Sequence, residues 1–216
     1  MRRKTASRSP SWSNCRPLRR IRQHQSSNSS GLIQLKTNAL EDKDITLALY
    51  RASQAGVHVD LIIRDTCRLR PGIEGLSENI RVVSIIGRFL EHARIYYFKN
   101  GGKEEYFIGS ADLMTRNLEA RVEVVAPVDD TALQAQLRDV LDIQLNNRRS
   151  VWDMQPDGSY AQRQPGQGDD NRTVHEILID LARQRLAASS QMEGGAKKPA
   201  SKSGGGRKRN VAHKAA

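Results

Sequence analysis

The chain is poor in cysteine and aromatic residues, has no long apolar run, and has no acidic residue at either end. Two cysteines in 216 residues, Cys15 and Cys67, exclude a disulfide scaffold and a four-cysteine zinc site. A reducing cytoplasm is the expected compartment. No stretch of about 18 apolar residues occurs, so no membrane-spanning helix is expected. The N-terminus is basic but lacks the apolar core of a secretory signal. It is rich in Arg and Ser, as transit peptides are. Pro10, Pro17 and the missing apolar stripe speak against an amphipathic helix there.

What is present in excess is positive charge, and it is unevenly placed. The formal net charge of +11 points to a polyanion or nucleic-acid partner. Residues 1–30 carry +8 and residues 194–216 carry +7, with no acidic residue in either. The stretch 31–193 has 20 basic and 24 acidic residues, or −4. The basicity therefore belongs to the ends. With 38% hydrophobic residues the middle still buries one ordinary core.

Residues 1–30 show no periodicity and are expected to be disordered. Residues 189–216 are expected to form a low-complexity basic tail. The tail lacks interleaved aromatics, so only nonspecific, salt-sensitive nucleic-acid binding is expected of it. Between these ends the pattern alternates. A short strand from Gly31 precedes a helix capped by Asp42 or Asp44, with Ile45, Leu47, Leu49, Ala52 and Ala55 apolar and Gly56 past its end. Val57–Ile63 reads as a central strand, which completes a parallel βαβ unit. Arg64–Glu78 is a loop at the carboxyl end of that strand, where open α/β sheets place ligands. Ile80–Ile86 is a strand. Ile95–Phe98 and Glu105–Gly109 flank the hairpin signal Asn100-Gly101. Arg121–Ala126 is a strand stopped by Pro127, a helix runs from Asp129 and Asp130 to about Leu145, and Val151–Arg163 is a hairpin around Pro156-Asp157-Gly158. Residues 171–188 contain an amphipathic terminal helix. The class is α/β with a mixed sheet.

The stretch with the most chemistry is Gly87–Phe98, followed by Tyr106–Asp112 and Met114–Leu118. His92 and Arg94 are two apart at a strand start, so both side chains face one way. A guanidinium fixes phosphate oxygens by paired contacts. An imidazole attacks phosphorus or hands a proton to a leaving oxygen. The competing reading is a surface His beside a surface Arg. Only His92 is followed two positions on by Lys or Arg; His24, His58, His175 and His213 are not. Lys36 and Asn38 lie at another strand end. Ser110 and Asp112 either orient the His–Arg pair or cap a turn. Glu123 is read as a strand residue and structural partner for an Arg, and Trp152 as a packing residue. Gly101-Gly102 is a turn, and no GxxxxGK[S/T] occurs, so any ATP binding is not of the P-loop kind.

Leu35–Leu40, Ile63–Gly72, Leu76–Arg81, Gly87–Phe98 and Gly109–Asn117 together resemble the last catalytic domain of bacterial polyphosphate kinase, in order, from about Gly31 to Gln155. The resemblance implies a phospholipase D-like mixed sheet flanked by helices over residues 31–165, including the 151–163 hairpin. It implies reversible transfer of the ATP γ-phosphoryl group to polyphosphate through a phosphohistidine. His92 matches the second histidine of that site, which assists transfer, and Arg64 matches the arginine that contacts ATP phosphates. Arg68, Arg70, Arg81, Arg88 and Arg116 are candidates for a polyphosphate channel, or are solvated surface arginines. Mg2+ is implied with ligands outside this chain, and no metal ligand is expected within it. The phosphate-accepting histidine is not among these residues, so half of an active site, inactive alone, is expected. A truncated or shifted reading frame would explain residues 1–20, which match nothing in the family. The implied partners are ATP, ADP and polyphosphate, with further copies of the chain or the remaining kinase domains. Two other readings stand beside this one: a non-catalytic polyanion or nucleic-acid binder, and half of a phospholipase D-like hydrolase. Lys99, where such hydrolases carry Asp, weighs against the last.

Overall fold

The computed structural model describes Arg20 and residues 31–194, the last four of these by backbone alone. The chain divides after Ile179 into two compact units. The elements, in order, are β1 (Leu32–Thr37), α1 (Lys43–Gln54), β2 (His58–Ile63), β3 (Ile80–Ile85), β4 (Ile95–Asn100), β5 (Lys103–Gly109), α2 (Thr115–Ala120), β6 (Val125–Val128), α3 (Thr131–Asn146), β7 (Val151–Met154), β8 (Tyr160–Gln162) and α4 (Val174–Gly194). The strands form one eight-stranded sheet in the order β6-β5-β4-β1-β2-β3-β7-β8.

The expected βαβ unit is present, with β1 parallel to β2 and β2 parallel to β3. Asp42 opens α1 by accepting a hydrogen bond from the Ile45 backbone N–H at 2.9 Å, a cap worth about 1 kcal/mol. Ile45, Ala48, Leu49 and Ala52 then fall on one buried stripe. Gly56, at φ +81°, ends the helix in the left-handed region that favours glycine. At the β4–β5 hairpin both turn residues, Gly101 and Gly102, have positive φ (+56° and +82°), as the tightest hairpin turns require.

Side chains alternate across the sheet and make two apolar layers. Ile33, Leu35, Leu61, Ile63, Tyr96 and Phe98 pack with α1 and α2 on one face. Ile62, Val83, Ile85, Tyr97 and Tyr106 pack with Leu141 and Leu145 of α3 and Val174 of α4 on the other. β4 runs antiparallel to β1, β5 to β4, and β7 to β3. The carboxyl ends of β1, β2, β3 and β5 and the amino ends of β4 and β7 therefore meet at one edge of the sheet.

Two elements differ from the sequence expectation. The strand expected over Arg121–Ala126 instead spans Val125–Val128, and Pro127 lies inside it, paired with Phe107. β6 is the last strand of the sheet, and an edge strand tolerates a residue with no N–H to donate. Glu123 consequently sits in a loop and not on a strand. The terminal helix runs to Gly194, beyond the expected residue 188. Ala187–Glu193 contains no helix breaker, so nothing stops the helix before Gly194-Gly195. The disorder expected for residues 1–30 falls, Arg20 apart, outside the described residues, as does the basic tail from residue 195. Arg20 itself forms an ion pair with Glu105 of β5.

Candidate functional site

The loops leaving the common edge bring His92, Arg94, Arg64, Asn38 and Asp112 to one end of the sheet. Arg94 immediately precedes β4, and Asp112 follows β5. Their pairing is bidentate: Arg94 Nε donates to Asp112 Oδ1 at 3.0 Å and Nη2 to Oδ2 at 2.8 Å. Asn38, just past β1, gives Asp112 its backbone N–H at 2.8 Å and its side-chain amide at 3.0 Å. Burial pushes the Asp112 carboxyl up, but the hydrogen bonds from Arg94 and Asn38 outweigh it and hold the group below its ordinary value. The hydrogen bond to Asp112, foremost, raises the Arg94 guanidinium above its own.

Arg94 therefore does something other than the sequence suggested. Its fork is occupied by a carboxylate, so it has no pair of free donors with which to clamp an oxyanion. Its Nη1 turns back to His92 and donates to the backbone oxygen at 2.9 Å and to ring Nδ1 at 3.2 Å. A guanidinium only donates, so Nδ1 accepts. The neutral His92 ring then carries its proton on Nε2, and the ring is exposed to solvent. Asp112, Arg94 and His92 form one chain of hydrogen bonds in which each group orients the next.

Arg64 ends β2 on the same sheet edge. Its carbonyl accepts from Ser84 Oγ at 3.3 Å, while its side-chain Nη1 is buried and has no hydrogen-bond partner. A buried cationic donor without an acceptor is costly, and an anion is what would satisfy it.

The remaining candidates separate. Arg68, Arg88 and Arg116 are exposed, and Arg88 lies over the Phe89 ring at 5.5 Å. Arg70 is exposed, with its backbone N–H donated to Tyr50 Oη of α1 at 2.9 Å. Arg81 does not join them. It opens β3 at the opposite edge, about 13 Å along the strand from Ile85, and pairs with Asp60 at 3.0 Å. Lys99 is also at the opposite edge, 3.8 Å from Glu104. Glu123 receives hydrogen bonds from Ser110 Oγ and, at 2.7 Å, from Asn117 Nδ2. Trp152 is half-buried within β7.

One cluster went beyond the sequence reading, which had Lys36 only as a candidate at a strand end. Lys36, buried in β1, forms an ion pair with Glu91 at 2.5 Å. Glu91 also receives Gln144 Nε2 at 2.6 Å and His175 Nε2 at 3.1 Å. The available signal was a lysine in a strand whose other polar residues, Gln34 and Thr37, are uncharged. Among the described residues no three His, Cys, Asp or Glu side chains are grouped to hold a metal ion, and no helix is long and apolar enough to cross a membrane.

Comparison with known proteins gives the same region a family. The family model for polyphosphate kinase C-terminal domain 2 matches residues 16–174, beginning inside the segment that the sequence reading placed outside the family. The polyphosphate kinase of Thermosynechococcus vestitus is 52% identical over 157 residues, covering 73% of this chain and 21% of that protein. That of Mycobacterium leprae is 50% identical over 155 residues, covering 72% and 21%. The crystal structure of polyphosphate kinase from Porphyromonas gingivalis matches with a TM-score of 0.72 at 35% identity, covering 80% of this chain and 26% of that one. The chain thus spans about a fifth of the length of these curated relatives. Sequence and fold agree over most of its length: the chain belongs to the polyphosphate kinase C-terminal domain 2 family.

Proposed function

We propose that this chain supplies one half of a phosphoryl-transfer site, the half that binds phosphate oxygens and donates hydrogen bonds to them while ATP gives its γ-phosphoryl group reversibly to polyphosphate. The observation that carries this reading is the buried, unpartnered Nη1 of Arg64 at the same sheet edge as the exposed His92 ring. Phosphoryl transfer needs positioning and positive charge above all. Arg64 supplies the charge at a site with reduced access to water, where an arginine–phosphate contact is strongest.

The tautomer of His92 defines its part. With Nδ1 accepting from Arg94, the proton lies on Nε2. That atom donates a hydrogen bond to a phosphoryl or leaving oxygen and orients it. It has no lone pair free to attack phosphorus, so the phosphate-accepting histidine is a different one. No other His here has a basic residue two positions on. Ile86, Phe89, Leu90, Val122 and Val124 are exposed near the same edge, which favours a second half seated against it. Arg68, Arg88 and Arg116, exposed on segments that follow β2, β3 and β5, are the candidates to meet a longer polyanion. Arg81 is not. ATP is the phosphate donor in a cytoplasmic setting. Mg2+ is expected to accompany ATP, with its protein ligands outside this chain.

Calorimetric titration of the purified chain with ADP and with inorganic triphosphate tests the reading. Binding is expected, weakened at least about tenfold by Arg64→Ala, as loss of a charged hydrogen bond predicts, and unchanged by Arg81→Ala. No binding, or binding indifferent to Arg64, overturns it. The chain alone is expected to make no polyphosphate from ATP, and robust synthesis would overturn the half-site assignment.

A further inference from the structure

We infer that Glu91 is a positioning residue for His92 and that the first turn of α4 is the latch that sets it. Lys36, Gln144 and His175 hold the Glu91 carboxylate, and through it the segment Gly87–His92. The inference rests on the reading of His92 as the residue that meets phosphate.

Glu91 directly precedes His92. Its carboxylate is held from three separate elements: Lys36 of β1, Gln144 of α3 and His175 of α4, at 2.5, 2.6 and 3.1 Å. The Lys36 and His175 side chains are buried. Burying charge is expensive unless every partner is in place, and similar apolar side chains would serve packing at less cost. Burial raises the Glu91 carboxyl, but the charge and hydrogen bond of Lys36, then Gln144 and His175, hold it below its ordinary value, so it stays ionised.

His175 is fixed at both ring nitrogens. The Phe89 backbone N–H donates to Nδ1 at 3.1 Å, so Nε2 carries the proton and donates a hydrogen bond to Glu91. The ring docks where only glycine leaves room, since a Cβ on Gly87 would lie 2.5 Å from Nδ1.

Arg94 holds the far end of the segment at His92, and the Phe89 ring lies 5.4 Å from that of His175, but little of the segment is buried. Its apolar side chains point to solvent: Ile86 is 62% exposed, Phe89 51% and Leu90 76%. Hydrophobic burial does not fix this loop against the core. The polar network does, and it reaches the backbone at Phe89 and the side chain at Glu91, on the approach to His92. A site held by supporting hydrogen bonds loses precision when they are removed.

The test uses the full chain with two readouts: the NMR resonance of the His92 ring Cε1–Hε1 pair and calorimetric affinity for inorganic triphosphate. Glu91→Gln is expected to shift the His92 resonance and weaken triphosphate binding about tenfold, with the far-UV circular dichroism of the folded chain retained. If Glu91→Gln unfolds the chain by leaving the Lys36 charge unpaired, the neutral double variant Lys36→Met with Glu91→Gln carries the same expectation. An unchanged His92 resonance in a folded variant overturns the latch, whatever the affinity. A wild-type chain that fails to bind triphosphate overturns the phosphate reading instead, and the His92 resonance still decides whether Glu91 positions the ring.

Discussion

The two edges of the sheet both carry ion pairs, and they use them differently. At the carboxyl edge the Arg94 and Asp112 side chains are 11% and 9% exposed, and the chain leaves the strands in long irregular segments before β3 and β4. At the opposite edge Lys99 and Glu104 are each 43% exposed, and the connection beside them is a two-glycine turn. Exposed pairs contribute little because water competes for both partners. Buried pairs are worth having only where geometry matters, because desolvation costs so much. The chain accepts that cost next to His92 and avoids it at the other end. Buried charge beside His92, rather than the abundant charge of the two ends, is what marks the candidate site.

The largest expected effect breaks the carboxyl edge. Asp112→Ala leaves the Arg94 charge and the Asn38 N–H without an acceptor, and should cost about 3 kcal/mol in urea unfolding. The same edge should give the chain its acid sensitivity. Asp112 and Glu91 are held below their ordinary values in the folded state. Groups of that kind contribute stability that is fully present above the unfolded carboxylate value, about pH 4, and lost as pH falls through the folded one. Stability measured from pH 7 downward should therefore drop below about pH 4, and less steeply in Asp112→Asn.

A smaller effect is expected where α4 docks. Gly87→Ala brings a methyl group against His175, and such overpacking costs about 2 kcal/mol, readable as a lowered thermal midpoint. The control at the opposite edge is Arg81→Ala, which should cost less than about 1 kcal/mol. If it costs as much as Asp112→Ala, the contrast between the edges is wrong. Smallest of all is a reactivity effect. Burial pushes the Cys67 thiol up to about 11, so in a Cys15→Ser background it should react with a disulfide reagent at pH 8 at least about tenfold more slowly than free cysteine. Comparable rates would show that the loop after β2 opens readily.

Much of the fold is legible because its signals are local. The β-branched run at His58–Ile63, the cap at Asp42 and the turn around Pro156-Asp157-Gly158 each declare themselves within a few residues, and Gly158 has the positive φ (+91°) such a turn uses. Pro127 misled, since whether a proline ends a strand depends on whether that strand lies at an edge of the sheet. His92 and Arg94 were legible as a pair and Asp112 as one candidate to orient them, but that Asp112, 18 residues from Arg94, takes up its guanidinium fork was not. The contact between His175 and Glu91 joins residues 84 apart, and no spacing rule reaches that far.

The amino-acid sequence alone determined the mixed α/β class, the βαβ unit and the separation of basic ends from a mildly acidic middle, because periodicity, turn residues and charge counts are properties of neighbours in the chain. Only the tertiary structure decided which basic groups remain available to an anion. Arg94, Lys36 and Arg81 each found a carboxylate, whereas Arg64 kept a buried donor unpaired. That choice is made by strand order and loop path, which bring distant residues within hydrogen-bond reach, and a linear pattern does not encode those distances.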